Sequence, residues 1–253
     1  MFFDLQRASM LKRVSALLLD IILVSIFATG FGYLISAIIG YDAMLERLET
    51  TYTAYETEYN VRLDMTNEEF AVMDEAEQAR YLEAYDIMAE DPEVSYCYSM
   101  VMNMTLVILS LGILLGYAVN DFVIPLIFKN GQTIGKKVFD LAVMQNDHTK
   151  IKTISLAVRT LLGRFAVETM VPVLLCIMIY FGFVGIAGTI GLGLLLLLQL
   201  AVLIATPTNA AIHDLLAQTV VVDMKSQMIF EDLDAKKKYE NKYFHNMEEK
   251  RDL

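Results

Sequence analysis

The residues in this sequence most able to do chemistry are acids set inside apolar stretches. KRVSALLLDI (12–21) places Asp20 seven residues after Arg13, and GYAVNDFVIPLIFK (116–129) places Asp121 eight residues before Lys129. An aspartate at the centre of a membrane helix costs roughly 2.5–3.5 kcal/mol on insertion scales, so each asks for a partner, for water or for a role. Seven residues make about two helical turns, which puts Arg13 and Asp20 on nearly the same face, about 10 Å apart along the axis. With Arg13 and Lys129 both marking the inner membrane boundary, Asp20 and Asp121 lie at similar depth, about 10–12 Å inside, where the two can meet. Such a pair needs a shared proton, a cation, water or an arginine, and Arg13, Arg159 and Arg164 are the candidate counter-charges. Two uses follow. One is a proton- or cation-exchanging site of Asp20 and Asp121 tuned by Arg13, in which a carboxylate releases its proton as a cation arrives. The other is structural: an arginine snorkelling from the interface pairs with Asp20 and locks the first helix against its neighbours.

The elements that must position these acids are membrane helices. The chain has 253 residues, 56% of them hydrophobic, no Trp, three His, two Cys and a net charge of -11. Hydrophobic and acidic residues are segregated into blocks, which a single soluble domain rarely shows. Val14–Ile39 and Met104–Phe128 are apolar apart from Asp20 and from Asn120 and Asp121, and each exceeds the roughly 20 residues needed to cross a hydrocarbon core. Phe165–Thr206 carries one charge, Glu168, in 42 residues and must fold back on itself. Its glycine-rich GFVGIAGTIGLG marks the bend, giving spans near 165–184 and 188–206. The first apolar run is too long for a cleaved signal peptide and has no A-x-A site after it, so it is expected to stay attached.

Charge orients the spans. Residues 1–13 hold Arg7, Lys12 and Arg13 against Asp4, and residues 129–164 hold five Lys and two Arg against Asp140 and Asp147, so both segments are expected in the cytoplasm. Residues 42–93 carry 16 acidic and 3 basic residues, a balance of -13 that leaves the rest of the chain at +2. This external segment reads as a helical hairpin, with Leu and Tyr recurring at three- and four-residue steps and Thr66 with Glu69 forming a capping box. A cation-concentrating or partner-binding cap is one role for it, and a solvated acidic insert the plainer one, because EF-hand spacing is missing. On the inner side, strands are expected at 141–145 and 149–152 around an Asn146–Asp147 turn, with β-branched TVVVD (219–223) as a third.

Other chemistry finds little support. GQTIGKK has three residues between its glycines and Lys137 where a phosphate loop needs Ser or Thr, so nucleotide binding is rejected. His213 has no nucleophile setting, the His residues lack metal-ligand spacing, and Cys97 and Cys176 fall at different depths, unsuited to a disulfide. Glu168 is expected to pair with Arg164 one turn earlier, and Asp214 to cap a short helix or hold Lys136 or Arg159. The tail MKSQMIFEDLDAKKKYENKYFHNMEEKRDL reads as solvated and helical, and nothing points to nucleic acid.

Arg13, Ala16 and Asp20 in KRVSALLLD, NGQTIGKK at 130–137 and HDLLAQTVVV at 213–222 together resemble the RDD family of bacterial integral membrane proteins, named for one arginine and two aspartates. The resemblance covers most of the chain apart from the acidic insert and the tail. It implies that Arg13, Asp20 and Asp214 are the name-giving positions, with Gly131, Thr133, Gly135 and Lys136 as a glycine-lysine turn. Two departures stand out, since similar sequences often have Gly at Asp140 and Arg at Ala142. The resemblance also implies transport, with cation/proton exchange among the activities suggested for the family.

The expected fold is an all-α membrane protein of the bacterial cell membrane, multi-pass, both termini cytoplasmic. It has four transmembrane helices, a long external acidic helical hairpin and a small cytoplasmic β patch. Its parts are an N-terminus and first span (1–39), the external insert (40–98), a second span (99–128), a basic inner loop (129–164), the third and fourth spans (165–206), and the HDLLAQT segment with the charged tail (207–253). Function divides between transport of a small cation, or its exchange for a proton, and a non-catalytic scaffold or accessory subunit. In neither case is an enzyme, cofactor or metal expected. The expected partners are the lipid bilayer and a second copy or another membrane protein.

Overall fold

The computed structural model describes residues 8–249, with side chains as far as Tyr243. Residues 1–7, with Asp4 and Arg7 of the charge reading, and tail residues 250–253 lie outside the described residues. In chain order the elements are α1 (Met10–Ile39), α2 (Tyr41–Tyr59), α3 (Asn67–Ala71), α4 (Glu75–Glu90), α5 (Pro92–Phe128), α6 (Ile134–Val138), β1 (Leu141–Gln145), α7 (Thr153–Tyr180), α8 (Gly185–Ala205), α9 (Ile212–Ala217), β2 (Thr219–Asp223) and α10 (Leu233–Glu249). Four of them, α1, α5, α7 and α8, are long and apolar enough to cross a membrane. The chain forms two compact units, one of residues up to Thr29 together with those from Ile113 onward, the other of Gly30–Gly112.

The Gly30–Gly112 unit contains the acidic helices. Gly40, with φ of 73°, separates α1 from α2, and Asn60, with φ of 49°, ends α2 in the left-handed region that Asn tolerates. Thr66 and Glu69 form the expected capping box, and Asp74 with Glu77 forms a second at the start of α4. Helices α2 and α4 pack together, and Leu48 meets Cys97 and Val101 of α5 in a small core. Cys97 and Cys176 are free thiols.

In the other unit, β1 and β2 pair antiparallel, from Leu141↔Asp223 to Gln145↔Thr219. The period-two alternation of strands sorts their side chains. Leu141, Val143 and Val221 pack with Ala8 and Ala16, while Ala142, Met144, Val220 and Val222 form a second cluster with Ile229. The strand expected at 149–152 is reduced to isolated bridges, Met144↔Lys150 and Thr149↔Phe230. Three consecutive valines in TVVVD bury both faces, whereas TKIK carries two lysines, so β1 takes the distant partner.

Two helix starts differ from the sequence reading. The third membrane helix begins at Thr153 rather than Phe165, within the segment assigned to a basic loop, and closes at Tyr180 before a turn containing Gly182, φ 73°. Arg159 and Arg164 are buried and paired, so their charge does not force them out of the helix. Likewise α5 begins at Pro92, a residue suited to the first turn of a helix because it has no N–H to leave unsatisfied. Ala118–Val123 of α5 and Val158–Met170 of α7 follow i→i+5 π-helical bonding. Such stretches are rare and concentrate at functional sites.

Small residues let helix backbones approach in membranes. A Cβ on Gly116 of α5 would stand 2.9 Å from the Val24 carbonyl oxygen and 3.2 Å from the Ala28 nitrogen of α1. Gly116→Val is therefore expected to lower stability by about 1–3 kcal/mol through overpacking. Gly30→Ala, where a Cβ meets nothing within 4 Å, should be neutral or stabilising. Unfolding titrations in detergent compare the two, and an unchanged midpoint for Gly116→Val would show that α1 and α5 do not touch there.

Candidate functional site

The turn NGQTIGKK is built around Asp20. Lys129 and Gly131 take left-handed backbone conformations, and Thr133 caps α6, its Oγ1 accepting from Lys136 N at 3.2 Å. The same hydroxyl donates to Asp20 Oδ2 at 2.6 Å, and Gly135 N donates to Asp20 Oδ1 at 2.9 Å. Gly135 is required by proximity: a Cβ there would lie 2.7 Å from Asp20 Oδ1 and collide with the Ala16 carbonyl. Lys136 Nζ stands 3.6 Å from Asp20 Oδ2. Burial pushes the Lys136 ammonium below the usual lysine range, and the nearby Asp20 carboxylate only partly opposes this.

Asp20 also reaches α5. Asn120 Nδ2 donates to Asp20 Oδ1 at 3.3 Å and to Asp121 Oδ2 at 3.2 Å, so one amide joins the two carboxylates. Asp121 is ion-paired with Arg164 of α7, whose guanidinium also lies 5.7 Å from the Tyr117 ring. Pro125 has no N–H for the carbonyl one turn before it, that of Asp121. Thr160 Oγ1 of α7 donates to that oxygen at 2.9 Å, so the break in α5 becomes a contact with α7. Asn120 is fully buried, and its Oδ1 has no hydrogen-bond partner.

A second group of charges surrounds α9. Asp214 is ion-paired with Arg159, lies 3.4 Å from Arg13 Nη2, and accepts from Ala211 N at 3.1 Å. Arg13 Nη1 donates to the Thr208 carbonyl at 3.0 Å. Glu168 accepts from His213 N at 2.9 Å and lies 2.7 Å from His213 Nδ1. Arg159 Nη2 is 3.0 Å from His213 Nε2, and because a guanidinium can only donate, Nε2 must accept and Nδ1 must carry the proton. Burial and then Arg159 push His213 down to about 4, against the opposing pull of Asp214 and Glu168. Burial alone would raise Asp214, but Arg159, His213 and Arg13 hold it well below the ordinary carboxylate range. Gly163 leaves room for this packing, since a Cβ there would lie 2.6 Å from His213 Cα.

The geometry thus brings Asp20, Asp121, Thr133, Gly135 and Lys136 together, with Gly131 shaping the turn. It corrects two pairings. Arg13, expected beside Asp20, serves Asp214 and Thr208 instead, because Lys136 and the α6 turn already occupy Asp20. Glu168, expected to pair with Arg164, bonds His213 instead, because Arg164 is taken by Asp121 of α5 while His213 offers Glu168 both its backbone N–H and its ring N–H. Asn120 and Thr160 were missed; their signal was an unpaired amide beside a buried acid and a proline four residues after that acid. Arg13, Asp20, Lys136, Arg159, Arg164 and Glu168 line one cavity of about 390 Å³. Among the described residues, no group of three or more His, Cys, Asp or Glu side chains is arranged to hold a metal ion.

A neutral buried His213 makes folding sensitive to acid. Between about pH 6.5, its unfolded value, and about 4, the unfolded chain binds a proton that the folded chain refuses. Stability is therefore full above the upper value and falls as pH drops through the window, by an amount on the order of 3 kcal/mol. Denaturant titrations in detergent from neutral to mildly acidic pH should show this slope, and His213→Gln should remove most of it, leaving the smaller share of partly exposed His148. An identical slope in the variant would refute the assignment.

No match to this chain was found among curated proteins or among solved structures. The model of the RDD family, a family of membrane proteins, matches residues 7–218, a stretch that holds all four long apolar helices and every charged residue of the cluster. The chain therefore belongs to the RDD family.

Proposed function

We propose that the protein carries a small monovalent cation across the membrane in exchange for a proton, with Asp20 and Asp121 as cation ligands and Lys136 as the displaceable counter-charge. The observation that carries this reading is the amide joining the two carboxylates: Asn120 bonds both acids through Nδ2, while its Oδ1 is buried without a partner. Oxygen ligands of this kind suit hard cations, and two carboxylates with one amide are few for a divalent ion, which takes six to eight. A cation settling on Asp20 displaces the Lys136 ammonium, and Lys136, already weakened as a base by burial, releases one proton to water in the cavity. The charge of the site is unchanged by the swap, which favours exchange over one-way uptake. Arg13, Arg159 and Asp214 hold the helix ends in place, and Asp214 serves as a latch rather than a ligand.

The basic inner segments support a cell-membrane placement with both termini in the cytoplasm and the cavity on that side, and the acidic helices α2 and α4 outside. Four spans are few for alternating access, so a second copy or a membrane-protein partner completes the carrier. The competing reading is a non-catalytic scaffold. It is favoured by the pairing of Asp121, Asp214 and Asp20 with protein cations, which leaves no acid of that set without a counter-charge. Neither reading is enzymatic.

Reconstitution in liposomes separates the two. Sodium, lithium or potassium gradients should drive proton movement through the native chain, and Asp20→Asn should reduce it by roughly tenfold or more, since a neutral amide loses the charge that holds a cation. Lys136→Gln should retain cation binding yet lose its coupling to pH. Flux equal to that of empty liposomes, from a chain that unfolds cooperatively and elutes as a single species, would remove exchange by this chain on its own or as copies of itself, and favour the scaffold.

A further inference from the structure

The cavity has features that cation exchange does not use. Its polar floor is formed by Arg13, Lys136, Arg159 and Arg164 with Asp20, Glu168 and His213, while Asp121 and Asp214, the partners of the three arginines, do not line it, so the face presented to the cavity is the cationic one. Its walls are apolar: Val14 and Leu17 come from α1, Leu196 and Leu200 from α8. These four wall residues are still 42–53% exposed, so the cavity opens sideways through a hydrocarbon lip. Helix α8 packs on α7 and α9 and leaves most of its leucines uncovered.

The unspent hydrogen-bonding capacity on this floor lies on the donor side. Asp20 already accepts from Thr133, Gly135 and Asn120, and both Glu168 oxygens lie against His213. Arg164, only 6% exposed, gives one nitrogen to Asp121 and makes no other hydrogen bond among the described residues. Gln199 is the one amide side chain of α8; it lines the cavity, and its Nε2 is buried without a partner. A buried donor left unpaired costs about 1–3 kcal/mol, a penalty that an incoming acceptor oxygen removes. The occupant must therefore bring acceptor oxygens and negative charge to the floor, and hydrocarbon to the walls.

We propose that this cavity is a binding site for an anionic membrane phospholipid, its phosphate held by Arg164 and Gln199 and its acyl chains leaving between α1 and α8. Basic pockets between membrane helices hold lipid headgroups in this manner, and the guanidinium fork matches phosphate geometry. A headgroup without its own cation is preferred, because a choline would stand among the four cations of the floor. The site does not depend on the exchange reading, and its test measures bound lipid rather than flux.

The full chain, purified in detergent, is titrated with dioleoyl phosphatidylglycerol or dioleoyl phosphatidylcholine and examined by native mass spectrometry. A single phosphatidylglycerol should be retained, in preference to phosphatidylcholine by roughly fivefold or more, the factor for about 1 kcal/mol of repulsion between the choline cation and the cations of the floor. Gln199→Leu, which suits the apolar surroundings of α8, should cut that retention, and Leu200→Trp, which fills the lip, should abolish it. Equal retention of the two lipids would overturn the proposal. So would full retention by both variants when they elute as folded species, and so would displacement of the lipid by millimolar inorganic phosphate, which would identify a free phosphate as the occupant.

Discussion

A carboxylate carried into an apolar helix bundle must find positive charge or hydrogen-bond donors there, and the larger unit of this protein is organised by that demand. Asp20, Asp121 and Asp214 are each at most 4% exposed, and Lys136, Arg164 and Arg159 answer them in turn, with Arg13 as a second partner for Asp214. The partners come from distant parts of the chain. Asp20 ties α1 to the α6 turn, Asp121 ties α5 to α7, and Asp214 ties α9 to both α1 and α7. Removing one member of a buried pair strands the other, which typically costs about 3–5 kcal/mol. The same pairs that are expensive to bury thus specify which helices meet, since other arrangements would leave a charge alone.

The two π-helical stretches make the pairing geometrically feasible. In α7, i→i+5 bonding presents Arg159, Gly163, Arg164 and Glu168 towards α9 and α5 rather than distributing them around an α-helical cylinder. In α5 the widened turn holds Asn120 and Asp121 buried side by side, and Pro125 leaves a carbonyl for Thr160. Glycine does the remaining work at two contacts, Gly135 against Asp20 and Gly163 against His213, where a methyl group would displace the acid or the imidazole.

How much of this was legible in the sequence depends on the range of the signal. Apolar length identified four spans, β-branched TVVVD identified a strand, and Thr66 with Glu69 identified a cap, because each follows from local chemistry. Counting residues from Arg13 and Lys129 put Asp20 and Asp121 at one depth, and the structure joins them through Asn120. Choice of partner was not legible. Arg13 shares a helix face with Asp20, yet Thr208 and Asp214, far along the chain, compete for it and hold it. The start of α7 differs because its arginines are buried and paired within the helix, and Glu168 differs because Asp121, distant in sequence, holds Arg164.

The residues that carry the family resemblance and the residues that could do work overlap at Asp20 and Lys136 and otherwise differ. Arg13, Asp214 and Gly135 act as staples: each secures a backbone carbonyl, a helix start or the approach of one chain segment to another. Asp140 shows how such a position is set by the backbone, for it stands at φ of 56°, a conformation that glycine adopts most easily. Its Asp side chain is tolerated there and meets Lys225 at 2.6 Å on the surface, where such a pair adds little. Among the described residues, the buried side-chain atoms without a hydrogen-bond partner lie elsewhere, at Asn120, His148 and Gln199, outside the name-giving positions. A satisfied network resists change and a group without a partner invites one, so the shared motif explains why these helices assemble, and what passes through or binds to the assembly is to be sought where Asn120 and Gln199, each with a buried atom lacking a partner, stand beside that network.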